Sequence, residues 1–195
     1  MEFIYSDGGR SKYYTAENVD DCATRAIANA TGADYKLVYK ALSKIEGKSV
    51  RNGCLKKTDK KLLTMLGWKW TPTMCVGGGC HTHLCEEELP SGNLVVQVSG
   101  HLTCVVEGTI YDTYNCSRGE SRCVYGYWEE DRPRSANYYE GILRDFLGEK
   151  AKSAKKEKAA KKRSKKAPNA VSLEDKVKLL EKRIAALEKA IKGGK

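Results

Sequence analysis

With 195 residues and a net charge of +10, the chain is long enough for one domain of about 145 residues followed by a C-terminal extension. Residues 1–149 carry 18 Lys and Arg against 20 Asp and Glu, whereas residues 150–170 carry 10 against one. No stretch is apolar enough to span a membrane, and Met1–Asp7 has neither the basic nor the apolar region of a signal peptide. These features exclude a membrane protein and predict a cytoplasmic, non-secreted protein whose eight cysteines are reduced thiols.

The first half of the domain is predicted to contain short helices. Cys22–Thr31 has apolar residues at helical spacing, and two further apolar stretches follow with the same period. Asp34 and Thr58 stand where the N-caps of these two later helices are expected. A glycine that can adopt a left-handed conformation follows each helix, at Gly32, Gly47 and Gly67.

The second half of the domain is predicted to form an antiparallel sheet, closed by a helix at 138–147. Glu107 and Gly108 separate two runs of β-branched and aromatic residues, which is a hairpin signal. Helices followed by such a sheet predict an α+β domain over residues 1–148. The expected strands lie at 68–70, 94–98, 102–107, 109–114 and 123–128.

Residues 149–170 are predicted to be a Lys-rich basic linker. Ten Lys and Arg lie between Lys150 and Lys166, a density that predicts binding to nucleic acid through counterion release. The segment contains no aromatic residue for base stacking, so no single-strand specificity is indicated. The alternative interpretation is a solubilising spacer.

Residues 171–192 are predicted to form a coiled-coil helix. From Leu173 to Ile191 the apolar residues alternate at steps of four and three, with β-branched residues at a and Leu at d. This pattern favours a parallel homodimer or small homo-oligomer. The alternative is an amphipathic helix that docks on its own domain or on a partner protein.

Three residues in chain order suggest nucleophilic chemistry. Cys22 opens the first helix, where the helix N-terminus favours a thiolate. His101 begins one predicted strand and Asp112 ends the next. A thiol, an imidazole and a group that orients the imidazole are the components of a cysteine hydrolase, and Asn115 is a second candidate for the orienting role.

The segments around these residues resemble papain-like cysteine peptidases of the bacteriocin-processing type. Asp20–Ala26 is similar to their active-site helix, and Gly100–Val106 followed by Ile110–Asp112 is similar to their His strand and the hairpin that delivers the Asp. The stretch from Tyr5 to about Trp128 also resembles small proteins encoded by bacteriophages. The resemblance implies a papain-like fold, a Cys-His-Asp triad that acts through a thioester, a protein or peptide substrate, and no cofactor.

One position departs from the family pattern. The family places a Gln about six residues before the Cys to help build the oxyanion hole, whereas this chain has Ala16 there. Asn18 is the nearby amide that could replace it, because side-chain amides serve as oxyanion donors. The departure keeps a second hypothesis open, in which an inactive papain-like domain acts as a nucleic-acid-binding or virion-associated structural protein in the host cell.

The centre of the domain contains a cluster of candidate metal ligands. Its five Cys and His residues fall within an 11-residue, Gly-rich segment, and zinc accepts both ligand types. Their spacing is not that of a zinc ribbon or finger, so a flexible loop with incidental thiols is the alternative. The cluster consists of Cys75, Cys80, His81, His83 and Cys85.

Overall fold

A computed structural model describes residues 1–15, 19–75 and 77–149. These residues form an α+β structure with four α-helices and one six-stranded sheet, which confirms the predicted fold class. The helices are α1 (Cys22–Thr31), α2 (Tyr35–Glu46), α3 (Lys56–Met65) and α4 (Ala136–Leu147). The strands are β1 (Glu2–Tyr5), β2 (Trp68–Pro72), β3 (Asn93–Val98), β4 (His101–Val106), β5 (Thr109–Asp112) and β6 (Val124–Glu130).

Four of the five predicted capping residues are confirmed: Asp34 before α2, and the glycines with positive φ after α1, α2 and α3, which are Gly32, Gly47 and Gly67. The Asp34 carboxylate accepts hydrogen bonds from the first backbone N–H groups of α2, as an N-cap should, and α1 and α2 both end at a left-handed glycine. The predicted cap of α3 is wrong, because Leu55 occupies the N-cap position. Thr58 lies inside the helix, where it is buried and its hydroxyl donates to Glu46.

The sheet is mixed, and the prediction of an antiparallel sheet is wrong at one edge. Its strand order is β1-β5-β4-β3-β6-β2, and β1 pairs parallel to β5. The β1 strand was not predicted, because its apolar residues do not alternate with polar ones. In the structure Phe3 is half-buried, whereas Ile4 and Tyr5 are exposed. The other neighbouring strands are antiparallel, as expected.

Two apolar cores lie on the two faces of the sheet. Alternation along β3 divides its residues between them, with Val95 in the core beneath the helices and Val96 in the core on the opposite face. The helical face is the larger, and α1 packs against β4 there. This packing brings the N-terminus of α1 to the end of the sheet at which β4 begins.

The hairpin between β4 and β5 determines where two candidate site residues lie. Glu107 and Gly108 both have positive φ, of 45° and 77°, as a two-residue hairpin turn requires, and the predicted hairpin is confirmed. Its register pairs Val106 with Thr109, so the start of β4 and the end of β5 meet at the far end of the hairpin. His101 and Asp112 are therefore brought together by strand pairing.

Alanine substitutions at two glycines test the close contact between β2 and β6, at the edge of the sheet opposite β1. A Cβ at Gly126 would collide with the Trp70 ring and lie 2.7 Å from the Thr71 carbonyl oxygen, so Gly126→Ala is expected to lower the free energy of unfolding by about 1–3 kcal/mol. Gly141 lies inside α4 with no neighbour near its Cβ position, so Gly141→Ala is expected to raise it by up to about 1 kcal/mol. Urea unfolding of both variants measures these opposite signs; equal effects would contradict the close contact between β2 and β6.

The predictions about the cysteines, about membrane spans and about the two C-terminal segments have different outcomes. One disulfide, Cys80–Cys123, is present, so the prediction that all eight cysteines are free is wrong for this pair. Among the described residues, no helix combines the length and apolarity needed to cross a membrane. The predicted basic linker and the predicted coiled-coil helix lie outside the described residues.

Candidate active site

Cys22 is the first residue of α1 and lies at the end of the sheet where β4 begins. It is partly buried, and interactions with the His101 side chain and the backbone of Leu102 lower the pKa of its thiol. The first N–H groups of a helix have no intrahelical partner and carry partial positive charge. Helix α1 thus presents the Cys22 sulfur to the imidazole in an environment that favours a thiolate.

His101 connects the thiol to a carboxylate. Its Nε2 lies 2.6 Å from Asp112 Oδ2, which leaves Nδ1 as the ring nitrogen for Cys22. Asp112 is buried, and its other oxygen accepts a hydrogen bond from the Thr113 backbone N–H at 2.7 Å. The ring of Tyr114 lies beside the imidazole, with centroids 5.2 Å apart. The imidazole is therefore held in one orientation from two sides.

The electrostatics favour a thiolate–imidazolium pair. Burial opposes the charged form of each group, but the bond to Asp112 and the contact with Cys22 outweigh it and raise the pKa of His101 to about 9. Burial is likewise outweighed at Cys22, where His101, the Leu102 backbone and the charge of Arg25 lower the pKa of the thiol. The pKa of Asp112 is lowered because its bond to His101 outweighs burial. Near neutral pH the imidazole and the carboxylate are charged, and the thiol is shifted toward its thiolate form.

A second buried network surrounds the residue before the nucleophile. Asp21 is 1% exposed, and its carboxylate accepts hydrogen bonds from Arg25 and from the Tyr35 hydroxyl and lies 3.1 Å from Arg10 Nε. Arg25 also reaches toward Asp112, at 3.8 Å between Nη2 and Oδ1. The two arginines neutralise a carboxylate that would otherwise oppose thiolate formation at the next residue. Arg10 and Arg25 were not predicted to lie near the site, because nothing in the sequence around either residue indicates a buried arginine.

Cys22 and His101 line a cavity of about 1380 Å³. Gln97, the only Gln of the chain, also lines it from β3, where it pairs in register with Leu102, the residue whose backbone contacts the Cys22 thiol. On the opposite side, Cys54 and Asp59 line the cavity, and burial raises the pKa of Cys54 to about 12 and that of Asp59 to about 6. The cleft thus contains one activated thiol and one inert thiol.

The remaining predicted site residues have different outcomes. Asn18 and Ala16 lie outside the described residues, so the proposed oxyanion donor stays a prediction. Asn115, the second candidate for the orienting role, accepts hydrogen bonds from the backbone N–H and the hydroxyl of Ser117. Asp112 is therefore the residue that the structure brings to His101.

One group of possible metal ligands overlaps the site. Among the described residues, ligand atoms of His101, Asp112 and Cys116 lie within 4.8 Å of one another. Burial raises the pKa of the Cys116 thiol, which opposes the thiolate that a metal would need, and His101 and Asp112 already bind each other. This arrangement fits an oriented imidazole better than a metal centre.

Comparisons of the chain with protein-family models, with curated proteins and with solved structures find no match. The resemblance to papain-like peptidases therefore stays a prediction.

Proposed function

We propose that the protein is a cysteine hydrolase, most simply a peptidase, with a papain-like arrangement of Cys22, His101 and Asp112. The observation that carries the proposal is the chain of contacts from the Cys22 thiol through the imidazole to the buried carboxylate, inside an open cavity. Nucleophile, base and orienting group are what acyl transfer requires, and the three come from separate elements of the fold.

The geometry supports a two-step reaction. The Cys22 thiolate would attack the carbonyl carbon of an amide, and the His101 imidazolium would give its proton to the leaving amine, which leaves a thioester on sulfur. Water, deprotonated by the now neutral His101, would then attack the thioester carbonyl and release the acid and the thiol. The backbone N–H of Cys22 is one oxyanion donor in this proposal, and an amide side chain, Gln97 from the described cleft or Asn18, is the second.

The proposed substrate is a protein or peptide, because the cavity that Cys22 lines is large, at about 1380 Å³. Other acyl acceptors or an isopeptide bond would use the same chemistry. The proposed setting is a reducing compartment, the host cytoplasm or a virion assembled there, since the reaction needs Cys22 as a thiol and six cysteines of the domain are free.

Alkylation of individual cysteines as a function of pH tests the proposal. Iodoacetamide is expected to modify Cys22 well below pH 7, because its thiolate is stabilised by a neighbouring imidazolium. Cys54 lines the same cavity and is the internal control: with a pKa near 12 it should stay unmodified. Peptide mass spectrometry reports both thiols in one sample, and His101→Ala should remove the reactivity of Cys22 at low pH.

A second measurement separates hydrolysis from mere thiol reactivity. A proteome-derived peptide library is incubated with the wild-type protein and with Cys22→Ala, and new peptide N-termini are identified by mass spectrometry. Termini produced only by the wild type support a peptidase. A reactive Cys22 without new termini would favour another acyl transfer, and an unreactive Cys22 would exclude the hydrolase and favour the inactive, binding-protein alternative.

A further inference from the structure

A group of polar side chains lies away from the cavity, where the Gly-rich segment meets the start of β6. His83 and Cys123 face each other in an isolated antiparallel bridge. The flanking hydrogen bonds run from Leu84 N to Arg122 O and from Val124 N to Thr82 O, so His83 and Cys123 form a non-hydrogen-bonded pair. In such a pair the two side chains project from the same face and lie close together.

Cys80 completes the group. Its Cα lies 5.8 Å from that of Cys123, to which it is joined by the disulfide, and its Sγ lies 3.5 Å from His83 Nε2. Tetrahedral zinc with Zn–S of about 2.3 Å and Zn–N of about 2.1 Å places a sulfur and a nitrogen ligand about 3.6 Å apart. The observed separation of Cys80 and His83 therefore already matches that of two ligands of one zinc ion.

The imidazole of His83 is prepared for such a role by Glu88. The Glu88 carboxylate lies 3.2 Å from His83 Nδ1 and also accepts the His83 backbone N–H at 2.6 Å. A carboxylate at Nδ1 favours the tautomer with the proton there and leaves the Nε2 lone pair directed at Cys80. Metal-binding histidines in proteins are commonly oriented by such a carboxylate.

We propose that reduction of the Cys80–Cys123 disulfide converts this cluster into a Zn²⁺ site. The ligands are the two thiolates and Nε2 of His83, with the fourth position open to water and Glu88 as the orienting carboxylate. A dithiol reductant supplies two electrons and two protons, which break the S–S bond and yield two thiols, and the reductant becomes a disulfide. Zn²⁺ then replaces the two thiol protons, which are released to solvent.

The proposal does not depend on the peptidase hypothesis, because none of its four residues lines the cavity of Cys22. It also narrows the ligand set that the sequence suggested. Cys123 lies 38 residues after the end of the Gly-rich segment and joins the site through the bridge to His83 and the disulfide to Cys80. Cys75, the first thiol of the segment, is exposed and is not one of the proposed ligands.

Cobalt substitution in the full-length protein tests the site. After reduction with dithiothreitol and its removal under anaerobic conditions, one equivalent of Co²⁺ is expected to give thiolate charge-transfer absorption and tetrahedral d–d bands, which Zn²⁺ should abolish. The oxidised protein should give neither. Cys123→Ser and His83→Ala are expected to lose the spectrum, and Glu88→Gln should weaken the affinity by roughly 10–100-fold.

Cys75→Ser is the matched control, because it removes an exposed thiol from the same segment and should leave the spectrum and stoichiometry unchanged. Circular dichroism of each variant verifies that it is folded; His83 is partly exposed, so its replacement should be tolerated. The proposal is overturned if the reduced wild type does not bind Co²⁺. It is also overturned if folded His83→Ala retains the spectrum, or if Cys75→Ser loses it.

Discussion

Replacement of Asp112 by Asn is expected to reduce the alkylation rate of Cys22 at pH 8 by about twofold to a hundredfold. The amide can still accept a hydrogen bond from His101, but it no longer offers the charge that raises the pKa of the imidazole. An opposite charge within about 4–6 Å changes a pKa by roughly one to three units, so the pKa of His101 should fall from about 9 to between about 6 and 8. At pH 8 the fraction of imidazolium, and of the thiolate it stabilises, should then fall from about nine-tenths to between about one-half and one-hundredth. Alkylation by iodoacetamide between pH 4 and 9, followed by peptide mass spectrometry, measures the change.

The Asp112→Asn substitution is expected to change both the upper and the lower pH limit of the thiolate–imidazolium pair. In the wild type the imidazolium persists until the pH passes about 9, so the thiolate–imidazolium pair should exist from the lowered pKa of Cys22 up to that value. In Asp112→Asn the pKa of His101 should fall, which lowers the upper pH limit of the pair. The pKa of Cys22 should rise, because a less stable imidazolium stabilises the thiolate less, and this raises the lower limit. The pH range over which hydrolysis is active should narrow from both sides.

Asp59→Asn is the matched control for this experiment. It makes the same chemical change in the same cavity, at a carboxyl whose pKa is already raised to about 6 by burial. Its alkylation profile at Cys22 should follow that of the wild type. If the alkylation profiles of Asp112→Asn and Asp59→Asn are the same, the Asp112 carboxylate does not stabilise the imidazolium. Asp112 would then not be part of a catalytic triad.

Asp21→Asn is expected to lower the free energy of unfolding by about 3–5 kcal/mol. The substitution preserves the shape of the side chain but leaves the buried guanidinium groups of Arg10 and Arg25 without their shared carboxylate. Breaking a buried ion pair by removing one partner costs this much because the remaining charge stays out of water. Urea unfolding followed by tryptophan fluorescence measures the loss, with the slope compared between variants.

Asp20→Asn provides the comparison, because the neighbouring carboxylate is exposed. Its effect should stay within about 0.5 kcal/mol, as for most surface substitutions. Arg25→Met in the Asp21→Asn background should restore part of the lost stability, since it removes one of the two buried charges that shared the Asp21 carboxylate. Equal stability of the Asp20 and Asp21 variants would mean that the network around Asp21 does not hold α1 in place.

Local chemistry explains how much of the fold could be predicted. The ends of α1 and α2 were predictable because Asp34 and the glycines after each helix act within a few residues of the backbone groups that they satisfy. The hairpin at Glu107 and Gly108 was predictable for the same reason. β1 was not, because its only partner is β5, more than 100 residues later, and its own pattern has no clear inward face.

The candidate site divides in a similar way. Cys22, His101 and Asp112 could be predicted because a thiol, an imidazole and a carboxylate are typical catalytic groups. Their order along a helix and two strands indicated that they lie close together in the fold. Arg25 and Gln97 have no such local signal. Arg25 lies one turn after Cys22 on α1, and the packing of α1 on the sheet brings Gln97 into the same cavity as the thiol. Cys123 is the clearest case. Cys80 and His83 were recognised as possible ligands from their spacing, whereas Cys123 lies beside them only because the fold pairs it with His83 and joins it to Cys80.

The parallel pairing of β1 with β5 also has a consequence for how the chain matures. Helices α1–α3 are each closed by hydrogen bonds between residues a few positions apart and can form while the chain is still being synthesised, so Cys22 acquires its helix early. The β1 strand has to wait until Thr109–Asp112 has been made, and Arg10, which follows β1, reaches Asp21 through the fold that this pairing completes. A nascent chain would therefore carry an ordinary thiol at Cys22, and its reactivity would arise only in the last stage of folding.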